Sequence, residues 1–286
     1  MIKIVLSILF LLIVFFLIVM LIDGNRFHIV TYTITSSKIK KNQKLIFLSD
    51  LHNKTYGKDN MQLLQAIEKE KPDKILIAGD MITSKVGTKI ENGTRFVCNL
   101  GKKYPVYYGM GNHEHKIKND TDKYGTMFQE FENALKEVHI DLMSNMRVYL
   151  PSDNVDIAGL DMDKKYYKKT RKSKMKDTYM ESKIGKPRDT SFQILIAHNP
   201  EYFKQYVSWG ADLILSGHVH GGVMRLPFIG GVISPSFRLF PKFDGGIFKD
   251  KDATMILSRG LGMHTIPIRI FNPGELIVIH LQGNTK

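Results

Sequence analysis

The sequence predicts an α/β protein in which two sheets pack together and helices cover the outside. Three observations favour this fold class. After an apolar N-terminal run, short apolar segments alternate with amphipathic ones, as strands alternate with helices. Asp50, Asp80 and Asn112 each follow such a segment at intervals of 30 and 32 residues, the length of one βαβ unit. From about residue 146 onwards, strand-like segments follow one another with little helix between them, which indicates a second sheet.

The composition is that of a folded chain of 286 residues. Hydrophobic residues make up 43% and charged residues 24%, which excludes a disordered or collagen-like protein. A single cysteine, Cys98, excludes an internal disulfide framework and a four-thiolate zinc site. The formal net charge is +13, and eight of the basic residues lie between Lys164 and Lys176 with no acidic residue among them.

The N-terminal residues form an apolar run from Ile4 to Ile22 that only Ser7 interrupts. Nineteen helical residues span roughly 28 Å, about the thickness of the hydrocarbon core of a bilayer. A buried globular helix would carry polar residues on one face, and this run has no such face. The run passes directly into Asp23 and Gly24 without a small-residue cleavage site, so we expect an uncleaved single-span membrane anchor rather than a signal peptide.

The basic residues around the run bear on its orientation. Lys3 precedes the run and Arg26 is the only basic residue close behind it, which favours an inside N-terminus and an extracytoplasmic domain. Counting Lys38, Lys40 and Lys41 reverses the balance, so the side of the membrane stays open. We expect an anchor over residues 1–24, a linker or first strand region over 25–43, and one domain over 44–286 with a basic insertion at 161–190.

The remaining elements follow in order from apolar runs and helix signals. Strands are expected at 44–49, 74–78 and 106–108, separated by helices near 59–70 and 96–100. A longer helix is expected at about 121–138, because Phe128, Phe131 and Leu135 recur at helical spacing. Later strands are expected at 146–150, 155–160, 192–197 and 213–215, and the tail from 255 to 281 is expected to form strands broken by glycine and proline. Asn199 followed by Pro200 is typical of a helix start.

Polar side chains follow five of the predicted strands. They are Asp50 and His52, Asp80, Asn112 with His113 and Glu114, His198, and His218 with His220. The carboxyl ends of parallel strands share one edge of a sheet, so these side chains are expected to converge. Nitrogen and oxygen donors of this kind suit Mn²⁺, Fe or Zn²⁺. A single Asp or His at a strand end is most often a turn residue, but five such elements in this order indicate a metal site.

This series of motifs resembles the calcineurin-like metallophosphoesterase superfamily over nearly all of residues 44–281. Four further segments resemble its membrane-associated, YkuE/YaeI-like bacterial branch: Ser49-Asp-Leu-His-Asn53, His198-Asn-Pro-Glu201, Gly217-His-Val-His-Gly-Gly222 and Ser258-Arg-Gly-Leu-Gly262. The resemblance implies a four-layer αββα sandwich behind one N-terminal transmembrane helix, and a hydrolase that uses two metal ions. Val223 departs from the pattern, since relatives often carry glutamine there.

The resemblance also implies a role for each motif residue. The first ion would be held by Asp50, His52 and His220, and the second by Asn112, His198 and His218. Asp80 would bridge the two ions. The catalytic residue His113 would contact the phosphate or the leaving oxygen without binding either ion.

The function expected from these features is that of a membrane-anchored phosphoesterase that cleaves a phosphate mono- or diester by metal-activated hydroxide. Its partners would be the membrane and a phosphorylated substrate, lipid- or envelope-linked in one reading, whereas nucleic acid is disfavoured. One alternative is a lipid-nucleotide pyrophosphatase similar to UDP-2,3-diacylglucosamine hydrolases. Another, from a different class, is a non-catalytic membrane scaffold.

Four features outside the motifs keep more than one interpretation. The basic residues from Lys164 to Lys176 form either a solvated loop or a contact with an anionic lipid or polymer, and a contact with nucleic acid is the less favoured third. His115 is either a group that supports the metal ligands or an exposed loop residue. Asp161 is either a turn residue or a substrate contact, and His264 either lines the substrate groove or is structural.

Overall fold

The computed structural model describes residues 1–168, 173–226, 228–233, 239–263 and 267–284. In chain order, the first half contains α1 (Ile2–Asn25), β1 (Phe27–Ser36), β2 (Gln43–Leu48), α2 (Met61–Glu70), β3 (Lys74–Ile77), α3 (Glu91–Gly101), β4 (Val106–Gly109), α4 (Asn112–Asn119), α5 (Thr121–Tyr124), α6 (Met127–Lys136) and β5 (Leu142–Met143). The second half contains β6 (Met146–Leu150), β7 (Val155–Gly159), α7 (Tyr179–Ile184), β8 (Phe192–Ile196), α8 (Phe203–Trp209), β9 (Leu213–Ser216), β10 (Met224–Leu226), β11 (Gly230–Ile233), β12 (Gly246–Asp250), β13 (Ala253–Leu257) and β14 (Gly274–Gly283). Short 3₁₀ turns lie at Lys58–Asn60, Lys164–Tyr167 and Pro200–Tyr202.

Two mixed six-stranded sheets form the body of the domain. The strand order is β1-β14-β2-β3-β4-β5 in the first sheet and β12-β13-β9-β8-β7-β6 in the second. Strands β2 to β5 run parallel to one another, as do β7, β8, β9 and β13. The carboxyl ends of the parallel strands in each sheet therefore lie at one edge, where the loops that follow them can meet.

The two sheets pack face to face through a buried apolar layer. Phe47 and Leu76 of the first sheet belong to one cluster with Ile157 and Leu215 of the second. Such strands, covered on both faces, read as continuous apolar runs, and this explains why 44–49 and 74–78 were recognisable in the sequence.

Helices cover the outer face of each sheet. Leu63 of α2, Phe96 of α3 and Phe131 of α6 pack against the first sheet. Met180 of α7 and Tyr206 of α8 pack against the second. The order of layers is helix, sheet, sheet, helix, which confirms the predicted αββα class.

One segment differs in detail from the expectation, and for another the structure gives the strand that the sequence left open. The helix expected at 121–138 is divided into α5 and α6, because Gly125 between them adopts a left-handed φ of 56° that a continuous helix cannot hold. Residues 25–43, expected to be a linker or first strand region, contain β1. This edge strand pairs in parallel with β14 from Phe27–Gly274 to Ser36–Gly283.

The first helix, α1, is long and apolar enough to cross a membrane, although a signal sequence would have the same length and composition. At its end the buried carboxylate of Asp23 accepts a hydrogen bond from the backbone N–H of Asn272 at 3.0 Å. Asp23 also pairs with Arg26, whose Nη2 lies 2.8 Å from Asp23 Oδ1. The end of α1 is thereby joined to the loop before β14.

Candidate metal centre

The predicted metal ligands lie in loops at the carboxyl ends of strands from both sheets. Asp50 and His52 follow β2, Asp80 follows β3, Asn112 begins α4 after β4, His198 follows β8, and His218 and His220 follow β9. Each loop departs from a buried parallel strand, so its position is fixed by the sheet beneath it. Six of these residues, all but Asn112, fall into two sets whose ligand atoms lie within 4.8 Å of one another.

The first set consists of Asp50, His52 and His220. The Nε2 atoms of His52 and His220 are 3.2 Å apart, and His220 Nε2 is 3.3 Å from Asp50 Oδ1. Asp50 is fully buried, and the backbone N–H of His218 donates to its two oxygens at 3.1 and 3.0 Å. Two imidazole nitrogens and a carboxylate oxygen aimed at one point are a donor set that suits a transition-metal cation.

The second set consists of Asp80, His198 and His218. His198 Nε2 lies 3.1 Å from Asp80 Oδ2, and its Nδ1–H donates to the carbonyl oxygen of Ala78. That bond leaves Nε2 as the nitrogen that faces the site, the arrangement found for metal-binding histidines.

Buried polar atoms at the centre test whether the site fits cations. Among the described residues, Asp80 Oδ2 and Asn112 Oδ1 accept no hydrogen bond although both atoms are buried. Burying such oxygens without a partner is costly. A bound cation would satisfy both, so the residues present fit the metal ions that the sequence predicted.

The electrostatics of the site also favour positive charge. Burial by itself lowers the pKa of His198, but the carboxylates of Asp80 and Asp50 raise that pKa to about 10. Burial raises the pKa of Asp50, but His220 and His198 hold it well below its usual range. The two carboxylates are therefore ionised and draw cations, whether protons on histidine or metal ions.

The backbone at the centre is strained. Asp50, His52, Asp80, His218 and His220 all have left-handed φ values, between 49° and 74°. Residues other than glycine rarely adopt this conformation, which persists only where the surrounding structure enforces it. Such a concentration of strain is typical of functional sites.

Comparison with known proteins identifies the family. The family model for calcineurin-like phosphoesterases matches residues 43–222. The chain belongs to this family. It is accordingly a metal-dependent hydrolase that acts on phosphoester bonds, and the residues gathered above form its candidate metal centre.

Related sequences agree with the family assignment. The protein YpbG of Bacillus subtilis is 26% identical over 91% of this chain and 89% of its own length. The metallophosphoesterase YkuE of the same organism is 25% identical over 84% of this chain and 79% of its own length. The metallophosphoesterase Cj0846 of Campylobacter jejuni is 26% identical over 86% of this chain, but this chain spans only 60% of that relative. The solved structure of TT1561 of Thermus thermophilus is similar with a TM-score of 0.43 and 9% identity, over 76% of this chain and 89% of that one.

His113 lies at the centre of this phosphoesterase but differs in its hydrogen bonding from His198, one of the predicted ligands. Its Nε2 is 3.9 Å from Asp80 Oδ2, and it shares a third set of ligand atoms with His52 and Asp80. Its Nδ1 accepts a hydrogen bond from the backbone N–H of Ser84 at 2.7 Å. A neutral imidazole carries one proton, so in the neutral form of His113 that proton is on Nε2, the nitrogen that faces Asp80.

Glu114 has a structural role that the sequence did not assign. Its fully buried carboxylate accepts hydrogen bonds from the backbone N–H groups of Asp80 at 2.8 Å, Met81 at 3.0 Å and Gly111 at 3.1 Å, and from the Tyr108 hydroxyl at 2.7 Å. It thus ties the Asp80 loop to the Asn112 loop. Burial, assisted by the nearby charge of Asp80, raises the pKa of Glu114 to about 7. The one available signal was its place at the third position of α4.

The first part of the basic insertion borders the site. Tyr167, in the 3₁₀ turn Lys164–Tyr167, places its ring 5.5 Å from that of His218 and 6.3 Å from that of His198. Burial raises the pKa of Tyr167 well above its usual value, so its hydroxyl stays protonated. Three of the basic residues, Lys169, Arg171 and Lys172, lie outside the described residues, as does His264.

His115 and Asp161 form a pair next to the centre. His115 Nδ1 is 2.7 Å from Asp161 Oδ1, and Asp161 Oδ2 accepts a hydrogen bond from Ser144 Oγ at 2.8 Å. His115 is half-buried on α4, one turn after Asn112, so it is not an exposed loop residue. The pair supports the helix that carries Asn112 and His113.

Proposed function

We propose that this phosphoesterase binds two divalent cations side by side and hydrolyses a phosphate mono- or diester. The observation that carries the proposal is the position of Asp80. Its Oδ2 lies 3.1 Å from His198 Nε2 and 3.9 Å from His52 Nε2, so one oxygen faces both donor sets. When bound, a pair of cations activates a water molecule as nucleophile and neutralises charge on the phosphate.

The proposed ligands follow from the donor sets. Asp50, His52 and His220 would hold one cation, and Asn112, His198 and His218 the other, with Asp80 shared. Asn112 is neutral, which limits the negative charge of the site and keeps the loaded centre attractive to a phosphate. The nitrogen and oxygen donors favour Mn²⁺, Fe or Zn²⁺ over Ca²⁺ or Mg²⁺, which prefer oxygen ligands alone.

His113 is proposed to act on the substrate rather than on the cations. Ser84 fixes the imidazole so that Nε2–H points at the site. This N–H can donate a hydrogen bond to a phosphoryl oxygen and stabilise the charge that grows there in the transition state. Tyr167, with its ring against His218, would limit the space on the side of the second donor set.

The helix α1 is proposed to remain as a membrane anchor for residues 44–286, with residues 25–43 joining the two. Most of its apolar side chains are exposed, from Ile2 to Ile22, which fits lipid around the helix better than water. The basic residues Lys3 and Arg26 favour an extracytoplasmic domain. A phosphorylated substrate at or near the membrane, lipid- or envelope-linked, is the partner that such tethering favours.

The variant Asp80→Ala tests the two-metal proposal. We expect turnover to be abolished and bound metal to fall towards one or zero ions, because each donor set loses the oxygen that they share. The measurements are elemental analysis of the purified full-length chain and hydrolysis of p-nitrophenyl phosphate and bis(p-nitrophenyl) phosphate with Mn²⁺ supplied.

Asp59→Ala, which removes an exposed carboxylate paired with Arg95, is the matched control and should keep both metal and activity. Full activity with two ions retained in Asp80→Ala would rule out the shared ligand. The relative rates on the two esters would distinguish a monoesterase from a diesterase.

A further inference from the structure

Exposed apolar side chains are concentrated in one region of the domain. After α1, the described residues include ten large apolar side chains that are exposed, and half of them come from three neighbouring loops. These five, called here the apolar loop surface, are Phe228, Ile229, Leu239, Phe240 and Phe271. Phe228 is fully exposed, and Ile229 is 59% exposed. A concentration of this kind marks an interaction surface rather than ordinary scatter.

Backbone hydrogen bonds hold the three loops together. Phe228 and Ile229 form the turn between β10 and β11. On one side of this hairpin, the N–H of Arg225 donates to the carbonyl of Ile270 at 3.0 Å. On the other, the N–H of Phe240 donates to the carbonyl of Val232 at 2.9 Å. The apolar loop surface is therefore part of one hydrogen-bonded unit.

The backbone of this surface is strained in the same way at three positions. Phe228, Phe240 and Phe271 have left-handed φ values of 66°, 47° and 52°. Asparagine or glycine is the usual residue in such turns, and a bulky aromatic residue is disfavoured there. These phenylalanines do not stabilise the folded domain by burial, and their backbone conformation costs free energy. Strain of this kind is typical of residues kept for a function rather than for stability.

The helix α1 contacts this surface. The ring of Phe271 lies 6.3 Å from that of Phe15 and 6.4 Å from that of Phe16. Phe16 precedes Ile22, the last residue of the apolar run, by six residues, which places it about 9 Å inside that end of the run. A side chain that touches Phe16 would lie at a similar depth if α1 crosses a bilayer.

We propose that the apolar loop surface inserts into the bilayer beside α1, so that the domain is seated in the lipid and not merely tethered to it. This proposal rests on the membrane anchor of the proposed function. The depth of about 9 Å matches the 5–10 Å to which amphipathic elements enter the boundary between headgroups and acyl chains. The occupant of the surface is bilayer lipid.

The insertion has a consequence for the metal centre. Asn272, next to Phe271, donates from Nδ2 to the carbonyl oxygens of His220 and Gly222, each at 2.8 Å. Two hydrogen bonds therefore join the proposed lipid-facing loop to the His220 loop. Arg225 and Arg259 line the same cleft as Phe228 and Phe271. Each is paired with a carboxylate, Arg225 with Asp244 and Arg259 with Glu275, so the contact with lipid is expected to be mainly apolar.

Tryptophan fluorescence of the full-length chain in liposomes tests the insertion. The liposomes contain phosphatidylcholine and phosphatidylglycerol, with or without bromine on the acyl chains. Emission from Phe228→Trp, after subtraction of the native Trp209 signal, should fall severalfold with brominated lipid and resist iodide in the water. Met146→Trp, at a 44% exposed position on the opposite edge strand of the second sheet, is the matched control and should show the reverse.

Each outcome separates the insertion from the anchor. Flotation of the chain with liposomes together with quenching of Phe228→Trp by iodide alone would overturn the insertion and leave the anchor intact. Failure of the chain to float at all would overturn the anchor. If Phe228→Trp does not fold, Ile229→Trp gives the same readout at the neighbouring position. Hydrolysis of soluble p-nitrophenyl esters should be unchanged in every one of these variants, because none of the altered residues belongs to the metal centre.

Discussion

Hydrogen bonding at Nδ1 distinguishes His113 from His198. The backbone N–H of Ser84 occupies its Nδ1, so its Nε2 keeps a proton, whereas His198 donates from Nδ1 to Ala78 and presents Nε2 to the site. In their neutral forms the two imidazoles thus have opposite tautomers. This difference in backbone hydrogen bonding is the basis on which we propose His198 as a metal ligand and His113 as a donor to the substrate.

The variant His113→Ala should therefore keep both cations while the rate falls. The loss of one charge-stabilising donor is expected to lower kcat by about 10²–10³-fold. Elemental analysis and steady-state kinetics on a p-nitrophenyl ester measure the two quantities separately. His139→Asn, outside the metal centre, should change neither. Loss of metal in proportion to activity would show that His113 is a ligand after all.

Residue positions in this centre were predictable to the extent that strand ends determine them. Asp50, Asp80 and His198 each follow an apolar run directly, and parallel strands bring their ends together. Ser84 and Tyr167 could not be found in this way. Ser84 acts through its backbone N–H, and Tyr167 reaches the centre only because its turn folds back over His218.

At the scale of elements, Glu114 determines how the loop after β3 meets α4. Its carboxylate is the acceptor for three buried backbone N–H groups that belong to two different loops. The bond to the Gly111 N–H is the capping-box contact expected of a glutamate at the third position of a helix. The bonds to Asp80 and Met81 extend that contact to the loop after β3.

Replacing this acceptor should be costly for stability. In Glu114→Ala the N–H groups of Asp80, Met81 and Gly111 lose their partner, and each costs about 1–3 kcal/mol, so the free energy of unfolding should fall by at least about 3 kcal/mol. Glu114→Gln keeps one acceptor oxygen and should lose less. Urea denaturation followed by Trp209 fluorescence gives the values. The control is Glu132→Ala, which removes an ion pair with Lys136 on the surface of α6 and should change the free energy of unfolding by less than about 0.5 kcal/mol. An equally small change in Glu114→Ala would contradict the role of the buried acceptor.

Element boundaries were predicted well where one local signal dominated. Asn199 Oδ1 accepts a hydrogen bond from the N–H of Glu201 at 3.0 Å, as the Asn199-Pro200 start predicted. The division between α5 and α6 was not predicted. Phe128, Phe131 and Leu135 all lie within α6, so their spacing gives no sign of where that helix begins. Periodicity reports which face is buried but not where a glycine interrupts the helix.

At the scale of the whole molecule, Asp161 links the two halves of the sandwich. It follows β7 of the second sheet, while its partners His115 and Lys118 lie on α4 outside the first. Burial raises the pKa of Asp161, but the hydrogen bonds and charges of His115, Ser144 and Lys118 outweigh it and lower the pKa below its ordinary value of 3.8. The ionised carboxylate therefore stabilises the folded state at pH values above 3.8, and this contribution is lost as the pH falls through the lower, folded-state pKa.

The stability of Asp161→Asn should accordingly depend on pH in a defined direction. Near pH 7 the variant should be about 1–3 kcal/mol less stable than the wild type, because the buried partners lose a charged acceptor. At about pH 3 the difference should narrow, since the wild-type carboxylate is then partly protonated. Urea titrations at the two pH values measure this difference, with Asp59→Asn as the exposed control. If the variant and the wild type differ in free energy of unfolding by the same amount at both pH values, the charge of Asp161 does not contribute to stability.

The order of the layers could be predicted from the sequence, but the pairing of the first strand, β1, with the last, β14, could not. Alternating strands and helices followed by strands alone led to two sheets with helices outside. The pairing of β1 with β14 joins residues such as Phe27 and Gly274 that are far apart in the chain. No local pattern in either strand specifies its neighbour, because edge pairing depends on which strand remains available when the rest of the sheet is complete.

That pairing places the strand made last between the two strands made first. Strand β14 lies between β1 and β2, and β1 has no other neighbour in the sheet. At 5–20 residues per second, roughly 10–50 s separate the synthesis of β1 from that of β14. Throughout this interval β1 has been made but its neighbour in the sheet has not. The first sheet is therefore completed late, and until then β1 presents unpaired backbone groups with which another chain could pair.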